Sequence, residues 1–359
     1  MSVAGAIEAR TDRLVSLLDA RELDSLLVTN LVNVRYLTGF TGTNGACVVT
    51  RDERLFVTDF RYLEQAADQV SGYESVKGER DLLADLAARL RGRAGFDDAE
   101  VSVRTHGKLG EHLAAGAELV PAAGLVEELR EVKDEGELAA IREAAKLADS
   151  VYEALRERGL AGRTERDVAR FAEQAMREGG AEGPSFPAIV AAGAHGAHPH
   201  AEPRDAEIPR DTLVVIDMGA RLDGYCSDCT RTLATGELDG EAREVYEVVR
   251  EAQGRALAAV APGAGHSDLD AQARDLIESA GHGERFGHGL GHGVGLEVHE
   301  GPRLAKNAEG ALKAGNVVTV EPGVYLPGRL GVRIEDLVAV SDAGHEVLTP
   351  FSKELVVAG

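Results

Sequence analysis

The 359-residue chain is longer than one average domain, so two domains are expected, and its 44% apolar and 28% charged residues describe an ordinary globular protein with enough length for a sizeable core. A formal charge of −22 argues against a nucleic-acid partner, which needs basic patches to neutralise phosphate. No run approaches the roughly 18 apolar residues of a membrane span, no signal-peptide core precedes residue 24, and Cys47, Cys226 and Cys229 make no disulfide framework, so a cytoplasmic protein without membrane contact is expected.

Ile7, Leu14, Leu17 and Leu18 recur at helical spacing and predict a first helix over residues 5–20. DSLLVT, GACVVT and RLFVTD read as strands, and RYLEQAADQV and DLLADLAARLRG as helices, giving an α/β N-terminal domain over residues 1–130. The stretch VPAAGLVEELREVKDEGE, rich in charge with Pro and Gly, marks the boundary to a second domain over residues 131–359. There a long helix carries Leu138, Ile141, Ala144, Ala145, Ala148 and Val151 on one face, and Thr164 opens a second helix by capping. Two more helices are predicted at 241–260 and 267–280. Strands PAIVAAG, TLVVIDMGARLDGYCSDCTRTL, NVVTVEPGVY and GVRIEDLVAV complete an α+β domain with a mostly antiparallel sheet.

These strands carry the chemistry. Asp217 ends the apolar run LVVID, and a turn at LDG predicts a hairpin that brings Asp228 to the same face. GHGLGHGVGLEVHE sets His288, His292 and His299 among five glycines, a density that lets backbone crowd close to a site and adopt positive φ. Its register is wrong for a dinucleotide loop, and the chain has no HExxH zinc motif. Glu321 precedes a Pro-Gly turn. Glu335 lies in GVRIEDLVAV, read as one otherwise apolar strand, where its charge needs a metal ion or Arg333 as partner. Four carboxylates and one imidazole without a thiolate favour Mn²⁺, Fe²⁺ or Co²⁺ over a structural zinc site. Two such ions side by side support hydrolysis.

The motifs VVIDMG, SDCTRT, GHGLGHGVGLEVHE, TVEPGVY and VRIEDLV, in this order, resemble the pita-bread metallopeptidases, specifically the aminopeptidase P and prolidase branch. NVRYLTGFTGTNG is similar to that branch's creatinase-like N-terminal domain, and VKDEGELAAIREAAKLAD to the first helix of its catalytic domain. The resemblance implies two divalent metal ions, Mn²⁺ first with Co²⁺, Fe²⁺ or Zn²⁺ as alternatives. Asp217 and Asp228 would hold one ion, His292 and Glu321 the other, with Asp228 and Glu335 bridging. It further implies that His200 stands beside the scissile carbonyl, that His299 and His288 contact substrate, that Glu321 shuttles the proton, and that Arg333 orients a ligating carboxylate. The substrates would be short proline-containing peptides, cleaved by an Xaa-Pro aminopeptidase, with an Xaa-Pro dipeptidase as the alternative and a non-catalytic binding protein as a third reading. A homodimer is also implied. Two features depart from the family: His195 and His198, expected as solvated loop residues, and Cys226 and Cys229, expected to pack around Asp228.

Overall fold

Val- and Leu-rich runs bounded by turn residues become strands in the N-terminal unit. The computed structural model describes residues 3–78 and 82–359, which divide between two compact units, Met1–Arg130 and Glu131–Gly359. In the first, six strands lie in the order Glu74–Lys77, Arg54–Thr58, Gly45–Thr50, Ser25–Val28, Arg93–Phe96 and Glu118–Pro121. The three central strands pair antiparallel and the outer ones join in parallel. Leu27, Val48 and Val57 pack with Leu82, Leu86 and Leu109 in one core. The helix expected over DLLADLAARLRG is shorter, Leu82–Ala87, with residue 81 outside the described residues. It ends as Arg89 and Leu90 donate their N–H groups to Leu86 and Ala87, a tighter i→i−3 turn. The boundary stretch holds a helix of its own, Leu125–Arg130, because Leu125, Val126 and Leu129 share a buried face.

The second unit repeats one construction, a helix pair on antiparallel strands. Helices Glu135–Arg158 and Glu165–Glu178 cover a three-stranded sheet with Leu213–Met218 between Ile189–Ala192 and Cys229–Ala234. Val151, Tyr152, Val168 and Met176 meet Val190, Val214 and Ile216 in its core. Asp134 opens the first helix with a reciprocal capping box, and the Thr164 hydroxyl accepts from Asp167 N–H at the second. Helices Gly240–Ala258 and His266–Ser279 pack with a five-stranded sheet, ordered Glu300–Leu304, Gly291–Gly293, Val317–Val320, Asp336–Ser341 and Gly344–Val347, and with the hairpin Gly323–Leu326 and Leu330–Arg333. No helix among the described residues is long and apolar enough to cross a membrane.

The LDG turn forms as expected: Leu222 pairs with Tyr225, and Asp223 and Gly224 between them have φ of 48° and 78°, the signature of a tight hairpin loop. Asp217 lies opposite Thr230, and Asp228 two residues before Thr230 shares its side of the chain. GVRIEDLVAV, expected as one strand, is two strands in different sheets, broken at Ile334 and Glu335. The break has a cause: Glu335 N–H donates to Thr230 O at 3.0 Å, so the backbone here leaves its own sheet to pair with the strand of the other half.

One buried hydroxyl ties the first helix to both strands below the site. Tyr152 Oη lies 3.0 Å from Ile216 O and 2.7 Å from Cys229 O. Tyr152→Phe is expected to lower stability by about 1–2 kcal/mol by leaving these carbonyls short of a donor. Urea denaturation reads the change, and an unmoved midpoint would show that the tie contributes nothing.

Candidate metal centre

Strand ends from both halves of the second unit converge on five ionisable side chains. One ligand atom each of Asp228, His292 and Glu335 lie within 4.8 Å of one another. His292 Nε2 stands 3.3 Å from Glu321 Oε1 and 3.7 Å from Asp228 Oδ2. Asp217 joins through Arg333, whose Nη2 donates to Asp217 Oδ2 at 2.7 Å. Thr230 Oγ1 donates to Glu335 Oε2 at 2.7 Å and accepts from Arg333 Nε at 3.0 Å. Arg333 therefore serves Asp217 and not Glu335, correcting the pairing read from their spacing.

Burial sets the electrostatics. It pushes the Asp228 carboxyl well above the usual carboxylate range, and the charges of Glu335, Asp217 and Glu321 add to the shift. Glu335 is raised in the same way, first by burial and then by Glu321 and Asp217. Burial also raises Asp217, against the pull of Arg333. The His292–Glu321 pair behaves oppositely: burial is outweighed by their mutual hydrogen bond, so Glu321 falls to about 2 and His292 rises to about 9.

The residues fit a divalent ion. Among the described residues, Asp217 Oδ1, Asp228 Oδ1 and Glu335 Oε1 are buried oxygens without a hydrogen-bond partner. Orphaned buried acceptors are costly, and three in one cluster ask for a shared cation. The ring proton of His292 is directed correspondingly, with Nδ1 3.0 Å from Gly293 O, which leaves Nε2 as the nitrogen available to an ion.

The other predicted residues surround this cluster. His288 donates or accepts between Nε2 and Tyr325 Oη at 3.0 Å, while Arg333 Nη1 donates to the same hydroxyl at 2.9 Å. His299 is exposed with its ring 4.4 Å from that of His292. Partial burial of the ring against His292, then the charge of His292, lowers its pKa, and His200 also contributes. His200 is exposed on the loop before Asp217.

Several expectations change. Of the two services expected of the five glycines around His288 and His292, positive φ is used by none, whereas crowding is real at Gly289, Gly291, Gly293 and Gly295 and absent at Gly287, where a Cβ would meet open space. A Cβ on Gly291 would lie 2.0 Å from Thr319 O, and one on Gly293 1.9 Å from Gly301 O. His195 is not solvated, because its Nδ1 is 2.9 Å from Glu165 Oε2, whereas His198 is exposed. Cys226 and Cys229 are free, buried thiols facing the carbonyls of Leu296 and Glu335. Thr230, Thr319 and Tyr325 went unnoticed in the sequence. Alternation along SDCTRT could have found the first, since Asp228, Thr230 and Thr232 share one face. Thr232 Oγ1 donates to Arg333 O at 2.9 Å from that same face.

Asp228→Asn is expected to leave the metal-free fold at least as stable, by removing a crowded carboxylate, while weakening divalent-ion binding by about tenfold or more. Thermal melts in chelator and calorimetric titration with Mn²⁺ read the two effects. Unchanged affinity would remove Asp228 from the site.

Known proteins resemble this chain along nearly its whole length. The model of Metallopeptidase family M24 matches residues 139–342, and that of the Creatinase/Prolidase N-terminal domain matches residues 10–132. A solved structure described as Xaa-Pro dipeptidase from Bacillus anthracis is 39% identical with a TM-score of 0.95, covering 98% of this chain and 99% of that one. The Xaa-Pro dipeptidase of Pyrococcus furiosus is 35% identical over 98% of this chain and 100% of its own length. The X-Pro aminopeptidase structure from Thermotoga maritima is 34% identical with a TM-score of 0.88, covering 97% of this chain and 99% of that one. The chain belongs to metallopeptidase family M24, with the two-domain pita-bread fold and a creatinase/prolidase N-terminal domain.

Proposed function

We propose that this metallopeptidase is an Xaa-Pro dipeptidase, in place of the Xaa-Pro aminopeptidase that the motifs alone favoured. The observation that carries hydrolysis is the set of three orphaned carboxylate oxygens gathered with His292 and Glu321. The choice of dipeptidase is supported by the relatives at 39% and 35% identity that bear that name. A second support is a cavity of about 320 Å³ whose wall includes His288, Arg274, Arg303 and Lys306. A dipeptide presents a free carboxylate beside its proline, and such cations recognise it. Arg274 is committed to Asp270 at 2.6 Å, which leaves the exposed Arg303 and Lys306 for this task.

Asp217, Asp228, His292, Glu321 and Glu335 would hold the ions, with Mn²⁺ the proposed species for this oxygen-rich set. When bound, divalent ions lower the pKa of water and polarise a carbonyl. The chain supplies the rest. A Glu321 carboxylate oxygen takes the proton from the attacking water and returns it to the leaving proline nitrogen. His200 donates an N–H to the oxyanion that develops at the scissile carbonyl. His299 and His288 flank the proline, and Arg333 keeps Asp217 in its ligating rotamer through the 2.7 Å bond.

The Mn²⁺-loaded protein is expected to hydrolyse Ala-Pro and to spare Ala-Pro-Ala. Release of Ala from the tripeptide would restore the aminopeptidase, and silence on both substrates with metal bound would overturn proline specificity. Glu321→Gln should lower kcat by roughly 100-fold or more. Arg303→Ala should raise KM for Ala-Pro by about tenfold through the lost charge-assisted contact.

A further inference from the structure

The segment that carries His195, His198 and His200 runs from strand Ile189–Ala192 to strand Leu213–Met218 and forms no strand over residues 193–206. A loop of this kind has no ladder to fix its course, yet His200 must be placed within a fraction of an ångström to act on a substrate. Three sets of contacts supply the constraint, and a single side chain gathers both ends.

That side chain is Glu165, the first residue of helix Glu165–Glu178, 1% exposed. Its Oε1 accepts from Ala192 N–H at 2.9 Å and from Arg204 Nη2 at 2.9 Å. Its Oε2 accepts from Arg204 N–H and Arg204 Nε, each at 3.0 Å. Ala192 is the last residue of the incoming strand, so Glu165 ties the start of the loop to its return at Arg204. His195 Nδ1, 2.9 Å from Oε2, lies inside the span and must carry the proton, because the carboxylate can only accept. The start of the helix adds two bonds, with Glu165 N–H donating to Ala206 O and Arg166 N–H to Arg204 O, both at 3.1 Å. These are N–H groups that a helix leaves without an internal partner. The middle of the loop is held from the opposite side. Arg333 Nη1 donates to Pro199 O at 3.2 Å, and a Cβ on Gly331 would stand 1.8 Å from Gly196 O. His200 thus follows directly on a residue bound by the arginine that also holds Asp217.

A plain alternative is that Glu165 merely neutralises Arg204. Arg204 is half exposed, however, and needs no buried partner, whereas Glu165 spends acceptor capacity on the backbone N–H groups at both loop ends. We propose that Glu165 is a positioning residue: by tying Ala192 to Arg204 it sets the span of the 193–204 loop and hence the place of His200 beside the metal centre. The proposal rests on the peptidase reading above.

The test uses Glu165→Gln and Glu165→Asp, the second keeping the charge beside Arg204 while shortening the reach to the two backbone N–H groups, each alone and combined with His200→Ala, in the metal-loaded full chain. Hydrogen exchange in residues 193–204 should quicken in both single variants while the Leu213–Met218 strand stays protected. Turnover of Ala-Pro should fall roughly 10- to 100-fold in kcat with KM and bound metal near wild type. In the His200→Ala background the further loss should disappear, since coupled residues are non-additive. Unchanged exchange in both variants, or a full additional loss on top of His200→Ala, would overturn the positioning role. Glu165→Asp keeps the test decisive if Glu165→Gln does not fold. A wild-type protein inactive on Ala-Pro would defeat the dipeptidase reading, while the exchange measurement would still decide whether Glu165 holds the loop.

Discussion

The second unit is organised around an electrostatic conflict. Asp217, Asp228 and Glu335 are almost wholly removed from water, and Glu321 stands among them. Burial alone disfavours each charge, and proximity makes every further charge worse. Only a concentrated positive charge reverses both effects, and a divalent ion is the economical source. The surrounding fold does what is needed to keep the carboxylates facing one another until such a charge arrives. Arg333 neutralises one oxygen of Asp217, Thr230 donates to Glu335, and His292 shares its proton with Glu321.

Around this centre the two halves of the unit contribute unlike parts. The first half provides the hairpin of Asp217 and Asp228, backed by Tyr152 and the helix pair. The second provides the crowded glycine segment with His292, the turn after Glu321, and the break at Glu335. A buried guanidinium fastens that break: Arg231 Nη2 reaches Asp336 Oδ1 at 2.8 Å and Thr349 O at 2.7 Å, and Arg231 Nη1 also bonds Glu335 O. Within SDCTRT, Asp228 and Thr230 face the carboxylate cluster while Arg231 turns the other way to anchor the break at Glu335 and the strand that follows it.

Much of this was legible in the sequence because its signals are local. Helical spacing gave the long helix through Val151, and a turn at LDG gave the hairpin. Acids set in apolar strands pointed to Asp217 and Glu335. What escaped depended on partners distant in the chain. Nothing near Arg333 tells that it reaches across more than a hundred residues to Asp217, or that Glu335 leaves its strand because Thr230 O offers a bond. The glycines of GHGLGHG were read both as letting backbone crowd a site and as sources of unusual φ, and only the first holds. Which groups come close, the carbonyls of Thr319 and Gly301, is visible only when the neighbouring strands are in place. His195 likewise read as a solvated residue, since Glu165 lies thirty positions away.

The break at Glu335 has a wider consequence. Glu335, a proposed ligand, is also the point where backbone passes from one sheet to the other, which would make ion occupancy and sheet cohesion a single equilibrium. Whatever free energy the ion contributes by binding the folded chain would then be delivered at this seam and not at the periphery. Scarcity of metal would then register first as local opening between the halves, exposing the Asp336–Ser341 strand to proteases well before global unfolding. Cellular supply of the ion would in this way govern how long the chain survives as well as how fast it works.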